Sequence, residues 1–204
     1  MMKKIFNPLT FIICLLIIGS CVKPRNNDIN YYNSNVNTTV NASNDLTINE
    51  FCARASTYLD SDCGLPGTSN HWVELYNPGD TVINFASTKY FLTDDSTVPN
   101  MYKLNGFNVN AKGYILVITD SPACADVTHM HANFHTSKSG GFVGLYKLVG
   151  TTYVPLTKHV YDAQSSGYSE GRYPDNGTTW YDFTLPTPLA PNSTAGGFTL
   201  SLTQ

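Results

Sequence analysis

What the chain has too little of narrows its identity first. A helix that crosses a bilayer needs about 20 apolar residues in succession. The apolar run at residues 9–18 supplies only ten. Basic clusters are also missing: 12 Lys and Arg stand against 15 Asp and Glu, and beyond Lys23 the basic residues are scattered singly. Nucleic-acid binding rests on neutralising phosphates with such side chains, so no nucleic-acid partner is expected. No stretch after residue 44 keeps an apolar 3.6-residue period for three turns, which argues against a helical fold. Nor does any G-x-S-x-G elbow, P-loop or H-E-x-x-H occur, so a hydrolase reading has little to stand on and no cofactor is expected.

The first 20 residues have the layout of a secretory signal. Lys3 and Lys4 form a charged start, residues 9–18 an apolar middle, and Ile18-Gly19-Ser20-Cys21 an ending that resembles a lipobox. That resemblance implies diacylglycerol on the Cys21 sulfur and a further acyl chain on its amine, a multiply acylated and therefore stable anchor. Residue 22 is Val rather than Asp, which by analogy with known lipoprotein sorting favours the outer membrane of a bacterial envelope, on its periplasmic or its surface face. Removing residues 1–20 leaves 184 of 204 and takes two lysines away, so the formal charge becomes 10 minus 15, or −5. A chain of that size holds one ordinary core.

Residues 22–44 carry eight Asn and few apolar side chains, too little to bury for an ordered structure. With Cys21 they read as a lipidated tether, and as a flexible coil 23 residues span roughly 25 to 30 Å. Beyond lies the domain, 45–192, and then a short extension, 193–204. Once Cys14 leaves with the signal and Cys21 is acylated, Cys52, Cys63 and Cys124 remain. An oxidising envelope permits a disulfide, and closeness in sequence favours Cys52 with Cys63. Three buried or free thiols are the alternative.

Short runs rich in Val, Ile, Tyr, Phe and Thr alternate with Gly, Pro, Asn and Asp, and predict strands at 46–53, 71–77, 81–85, 90–93, 102–107, 114–119, 142–148 and 153–160. Many short strands separated by turn signals indicate an all-β sandwich or barrel. Asn77-Pro78-Gly79-Asp80 is the clearest turn. Pro186, Pro188 and Pro191 bar regular ladder pairing and predict an extended closing segment.

Several of these runs fall in an ordered pattern. Leu46-Thr47-Ile48-Asn49-Glu50 is followed by Trp72-Val73-Glu74-Leu75-Tyr76-Asn77-Pro78-Gly79, by Phe91-Leu92-Thr93-Asp94-Asp95 and by Gly113-Tyr114-Ile115-Leu116-Val117. Asn133-Phe134 with Ser139-Gly140-Gly141, Gly171-Arg172-Tyr173-Pro174-Asp175 with Trp180, and Thr187-Pro188-Leu189-Ala190-Pro191-Asn192 complete it. In kind and order these segments resemble the lamin-tail domain family, from about Asp45 to Asn192. The resemblance implies an immunoglobulin-like β-sandwich with Glu50, Trp72, Glu74, Asn77 and Arg172 as fold-signature residues, but a fold alone supplies no activity. Thr136 stands where the family has Leu. Loops 54–70 and 120–130, which carry Cys63 and Cys124, are outside the family pattern and are where a rigid scaffold would display specificity.

Four groups merit weighing as chemistry. His129, His131 and His135 offer three nitrogens to a metal, though His135 follows a structural Asn-Phe step and no acidic ligand matches. Glu50 and Glu74 resemble an acid/base pair, yet both belong to the fold signature and read as hydrogen-bonded structural carboxyls. Asp60-Ser61-Asp62 and Asp94-Asp95 offer oxygens to calcium without the fixed twelve-residue loop. Thirteen Tyr and two Trp would suit sugar stacking but also suit strands. The expectation is a membrane-anchored, non-enzymatic binding or scaffold module with a protein or glycan ligand. A carbohydrate or matrix adhesin is the first alternative, a metal-dependent hydrolase or its accessory module the second.

Overall fold

The computed structural model describes residues 44–54, 71–119 and 129–192. Among them the chain forms strands β1 (Thr47–Cys52), β2 (Trp72–Tyr76), β3 (Ile83–Asn84), β4 (Tyr90–Thr93), β5 (Tyr102–Lys103) and β6 (Asn108–Val109), then β7 (Tyr114–Ile118), β8 (Met130–His131), β9 (Gly141–Val149), β10 (Thr152–Tyr161), β11 (Ser169–Arg172) and β12 (Trp180–Phe183). A six-stranded sheet runs β12-β11-β1-β2-β7-β8, a four-stranded one β10-β9-β4-β5, and β3 pairs with β6. Every pairing is antiparallel except β7 with β8. The domain is all-β, as its alternating pattern predicts.

One core lies between the two larger sheets. Ile48, Phe51, Val73, Leu75 and Val117 from the first meet Tyr90, Leu92, Val143, Leu145 and Tyr161 from the second. Strands alternate their side chains, so Val73 and Leu75 face this core while Trp72, Glu74 and Tyr76 face away. In β1 the register shifts between Ile48 and Glu50. That bulge adds a residue, so Ile48 and Phe51 both reach the core and Asn49 and Glu50 are both directed to the far face.

The expected strands differ from the observed ones where turn chemistry intervenes. Run 102–107 breaks after Lys103, because Gly106 takes a φ of 74° and sends the chain to pair with β3. Run 81–85 keeps only β3, since Asn77 holds the preceding turn out of any ladder: its Nδ2 donates to Thr81 O at 2.8 Å and Asn110 O at 3.0 Å, and its Oδ1 accepts from Gly79 N at 2.9 Å. Gly79 must lack a side chain, as a Cβ there would lie 2.8 Å from Asn44 O. Strands β6, β8, β11 and β12 were not legible in the pattern. Ser-Glu-Gly-Arg is a poor strand sequence, and tertiary pairing on both sides makes it one.

Register also fixes the two ends of the six-stranded sheet. Cys52 lies opposite Trp72, Trp72 opposite Ile118, and Ile118 opposite His131. At the other end Thr47 lies opposite Tyr76, and Tyr76 opposite Tyr114. Asp45 enters at this second end, where it accepts from Tyr90 Oη at 2.5 Å and pairs with Lys147 Nζ at 2.6 Å.

Candidate functional site

Glu50 and Glu74 lie directly opposite one another on the far face of the six-stranded sheet, both fully buried. The closing segment, residues 184–192, runs over them as a strap. It is not extended as its prolines predict but bent at 184–185 and turned at Pro188 and Leu189, where Leu189 takes a φ of 61° and Ala190 N donates to Thr187 O at 3.0 Å. Glu50 accepts from Ser169 Oγ at 2.5 Å and from Thr187 N at 3.0 Å, and its Oε2 lies 2.6 Å from Thr187 Oγ1. Glu74 accepts from Asn49 Nδ2 at 3.0 Å and from Leu189 N at 2.6 Å. A third carboxylate, Asp175, accepts from Asn49 Nδ2 at 3.0 Å, Tyr114 Oη at 2.6 Å and Asn192 N at 2.9 Å. Asn192 closes the strap by donating through Nδ2 to Arg172 O at 2.7 Å. Gly171 leaves room for the arrangement, since a Cβ there would lie 2.5 Å from Phe183 Cε2 and 3.0 Å from Glu50 Cγ.

Burial raises both glutamates' pKa values. At Glu50 the rise is opposed by the bonds from Ser169 and Thr187. Glu74 is pushed up to about 9, by burial first and by the charge of Glu50 second. Thr187 Oγ1 lies within donating reach of two acceptors, Glu50 Oε2 at 2.6 Å and Asn192 Oδ1 at 2.9 Å. Both carboxyls are buried beneath the strap and hydrogen-bonded to it.

The other signature residues are likewise built in. Arg172 donates through Nε to Ile48 O at 2.8 Å and through Nη1 to Gly177 O at 2.5 Å, and its guanidinium lies 4.6 Å from the Trp180 ring centre. Trp72 is buried outside the core between the sheets, in a separate cluster with Cys52, Leu116 and Ile118 on the far face. The thiol of Cys52 is free, in place of the expected bond to Cys63, and donates to Tyr168 O at 3.0 Å. Burial pushes it up to about 12, so it is a poor thiolate nucleophile. Cys21, Cys63 and Cys124, the tether and Asp60-Ser61-Asp62 lie outside the described residues.

The histidines divide differently from the expectation. His131 is buried on β8, in register with Ile118. His135 meets His71, a residue the sequence reading passed over, with ring centres 5.7 Å apart and planes at 65°. No spacing signal links positions 71 and 135; the β2–β7 and β7–β8 pairings together bring them close. Asp95 is engaged by Thr97, through its N–H at 2.8 Å and its hydroxyl at 2.7 Å. Among the described residues no group of three or more His, Cys, Asp or Glu is placed to hold a metal ion. Also unforeseen is a buried pair joining the sheets, His159 Nε2 to Glu170 Oε1 at 2.7 Å, with the His159 ring stacked 4.1 Å from Trp180.

No protein-family model matches the chain, and no curated protein matches it.

Proposed function

We propose that the chain is a bacterial envelope lipoprotein, anchored through acylated Cys21, whose lamin-tail-like domain is an immunoglobulin-like β-sandwich acting as a non-enzymatic binding or scaffold module. The observation that carries this reading is the placement of the connections. Asp45, where the tether enters, is clamped at one end of the six-stranded sheet, and β1 runs from there to Cys52 at the other. Arg54, His71, Thr119 and His129, the points where the two long connections leave and return, follow or precede strand residues that share this second end. The anchor then joins one end of a rigid scaffold, and the described residues that flank 55–70 and 120–128 lie at the other. The signature residues support the family assignment, because each has a hydrogen-bonding or packing task that its motif would require.

Loop replacement tests the reading. The full chain carrying Cys21→Ser, and the same chain with 55–70 and 120–128 exchanged for short Gly/Ser connectors, would be applied to a glycan array and to solubilised envelope proteins. The parent is expected to bind a discrete partner that the loop-exchanged chain loses while its thermal midpoint stays within a few degrees. Equal binding by both chains, or turnover in a hydrolase screen, would overturn it.

A further inference from the structure

The chain holds two Asn-Gly dipeptides, Asn105-Gly106 and Asn176-Gly177, and the fold treats them in opposite ways. An asparagine before a glycine is open to attack on its own side chain, because the glycine nitrogen can reach the amide carbon in a five-membered ring and no Cβ stands in the path. Asn176-Gly177 is locked. Gly177 N–H donates to Pro174 O at 2.8 Å, Asn176 N–H donates to Asn49 Oδ1 at 3.1 Å, and the Gly177 carbonyl accepts from Arg172 Nη1 at 2.5 Å. A Cβ on Gly177 would stand 2.7 Å from Pro174 O, so the turn is closely packed as well. Asn105-Gly106, in the connection from β5 to β6, is open. Both residues are exposed, and among the described residues no hydrogen bond engages the Gly106 N–H. Gly106 takes a φ of 74°, and beyond its chain neighbours no atom lies within 4 Å of the place its Cβ would occupy.

We propose that Asn105 is a site of spontaneous deamidation, and that Asn176, in the same dipeptide, is protected by the fold. Gly106 N, on losing its proton, attacks Asn105 Cγ; the new N–Cγ bond closes a succinimide, and ammonia leaves carrying that proton. Water then opens the ring. Cleavage of the bond to Cγ leaves aspartate, and cleavage of the bond to the main-chain carbonyl leaves isoaspartate, whose main chain runs through Cγ. Either product adds one negative charge, and no oxidant or reductant takes part. At Asn176 the same attack must first break the Gly177 N–H bond and open the turn. The second product matters because the dipeptide spans two fixed points. Leu104 is buried and its N–H donates to Tyr90 O at 3.0 Å, while Phe107 O accepts from Phe85 N at 3.3 Å. Isoaspartate inserts one carbon between them. The corner where β5 hands the chain to β6 is therefore the part of the domain that loosens with age.

The test ages the full chain carrying Cys21→Ser in mildly alkaline buffer, folded and in guanidinium chloride, and maps its peptides by mass spectrometry with fragmentation that separates isoaspartate from aspartate. In guanidinium chloride the two dipeptides should react at similar rates. In the folded chain Asn105 should react at least about tenfold faster than Asn176, equivalent to about 1.4 kcal/mol in barrier. Amide exchange at Phe85, whose N–H bonds to Phe107 O, should quicken on ageing in this chain and not in one that also carries Asn105→Gln, whose longer side chain cannot close the five-membered ring. Equal rates at the two sites in the folded chain, faster reaction at Asn176, or an Asn105 that stays unmodified overturns the proposal. Unchanged exchange at Phe85 in material converted to isoaspartate overturns the loosening of the corner.

Discussion

Glu74 keeps its proton because ionising it would place a charge in a dry layer next to a second carboxyl. Its folded-state pKa is raised from 4.5 to about 9, so between those values the folded chain binds more protons than the unfolded one. Its contribution is therefore complete below about pH 4.5 and is lost as pH rises through about 9, on the order of several kcal/mol across the window. Glu50 shifts in the same direction. The thermal midpoint should fall steadily from pH 5.5 to pH 9. Glu74→Gln should flatten that fall: the amide cannot ionise, but its NH2 faces one of the two donors, Asn49 Nδ2 or Leu189 N–H. The variant should then be less stable than the parent at pH 5.5 and more stable at pH 9. Parallel melting curves across the range would show that Glu74 is ionised in the folded state. Glu50 and Glu74 were readable as structural carboxyls from their motifs. Asn49, Asp175 and His71 were not, since their roles follow from a bulge, a turn and a cross-strand register that no local pattern encodes.

At the scale of the element, the strap shows how a segment without ladder pairing is held. Its prolines predict an extended run, but a turn at Pro188 and Leu189, with Leu189 at a φ of 61°, breaks it. Its hydrogen bonds run to the side chains of Glu50, Glu74 and Asp175 and, through Asn192 Nδ2, to the carbonyl oxygens of Asn49 and Arg172. Thr187 is the central link, since its hydroxyl serves both Glu50 and Asn192. Thr187→Val keeps the shape and leaves those two buried groups each short of a partner, which costs about 1 to 3 kcal/mol. The urea midpoint should drop accordingly at unchanged m, and amide exchange at Leu189 should quicken more than in β9. A midpoint within error of the parent would mean the strap contributes nothing to the fold. The hairpin β9–β10 was read almost to its ends because its alternation is long and its turn short. Strand β11 was not, because its polar sequence becomes a strand only between β1 and β12.

For the whole molecule, the proposed membrane anchor raises the question of how the domain tolerates a join at residue 45. Asp45 sits where tether meets domain, and its bonds to Tyr90 and Lys147 reach β4 and β9 across the sheet stack. Pulling on the tether therefore loads the four-stranded sheet, not β1 alone. Residues 22–44 were legible only as composition: asparagine-rich, with little to bury. Removing them should leave the thermal midpoint of the domain within about a degree or two, because the clamp begins at Asp45. On the proposed anchoring through Cys21, Cys21→Ser is expected to give an exported protein that no longer fractionates with membranes, without changing that midpoint. The two variants separate attachment from folding. A Cys21→Ser chain that still fractionates with membranes after a salt wash would place the attachment elsewhere, and a large loss of stability in the tether deletion would make those residues part of the fold.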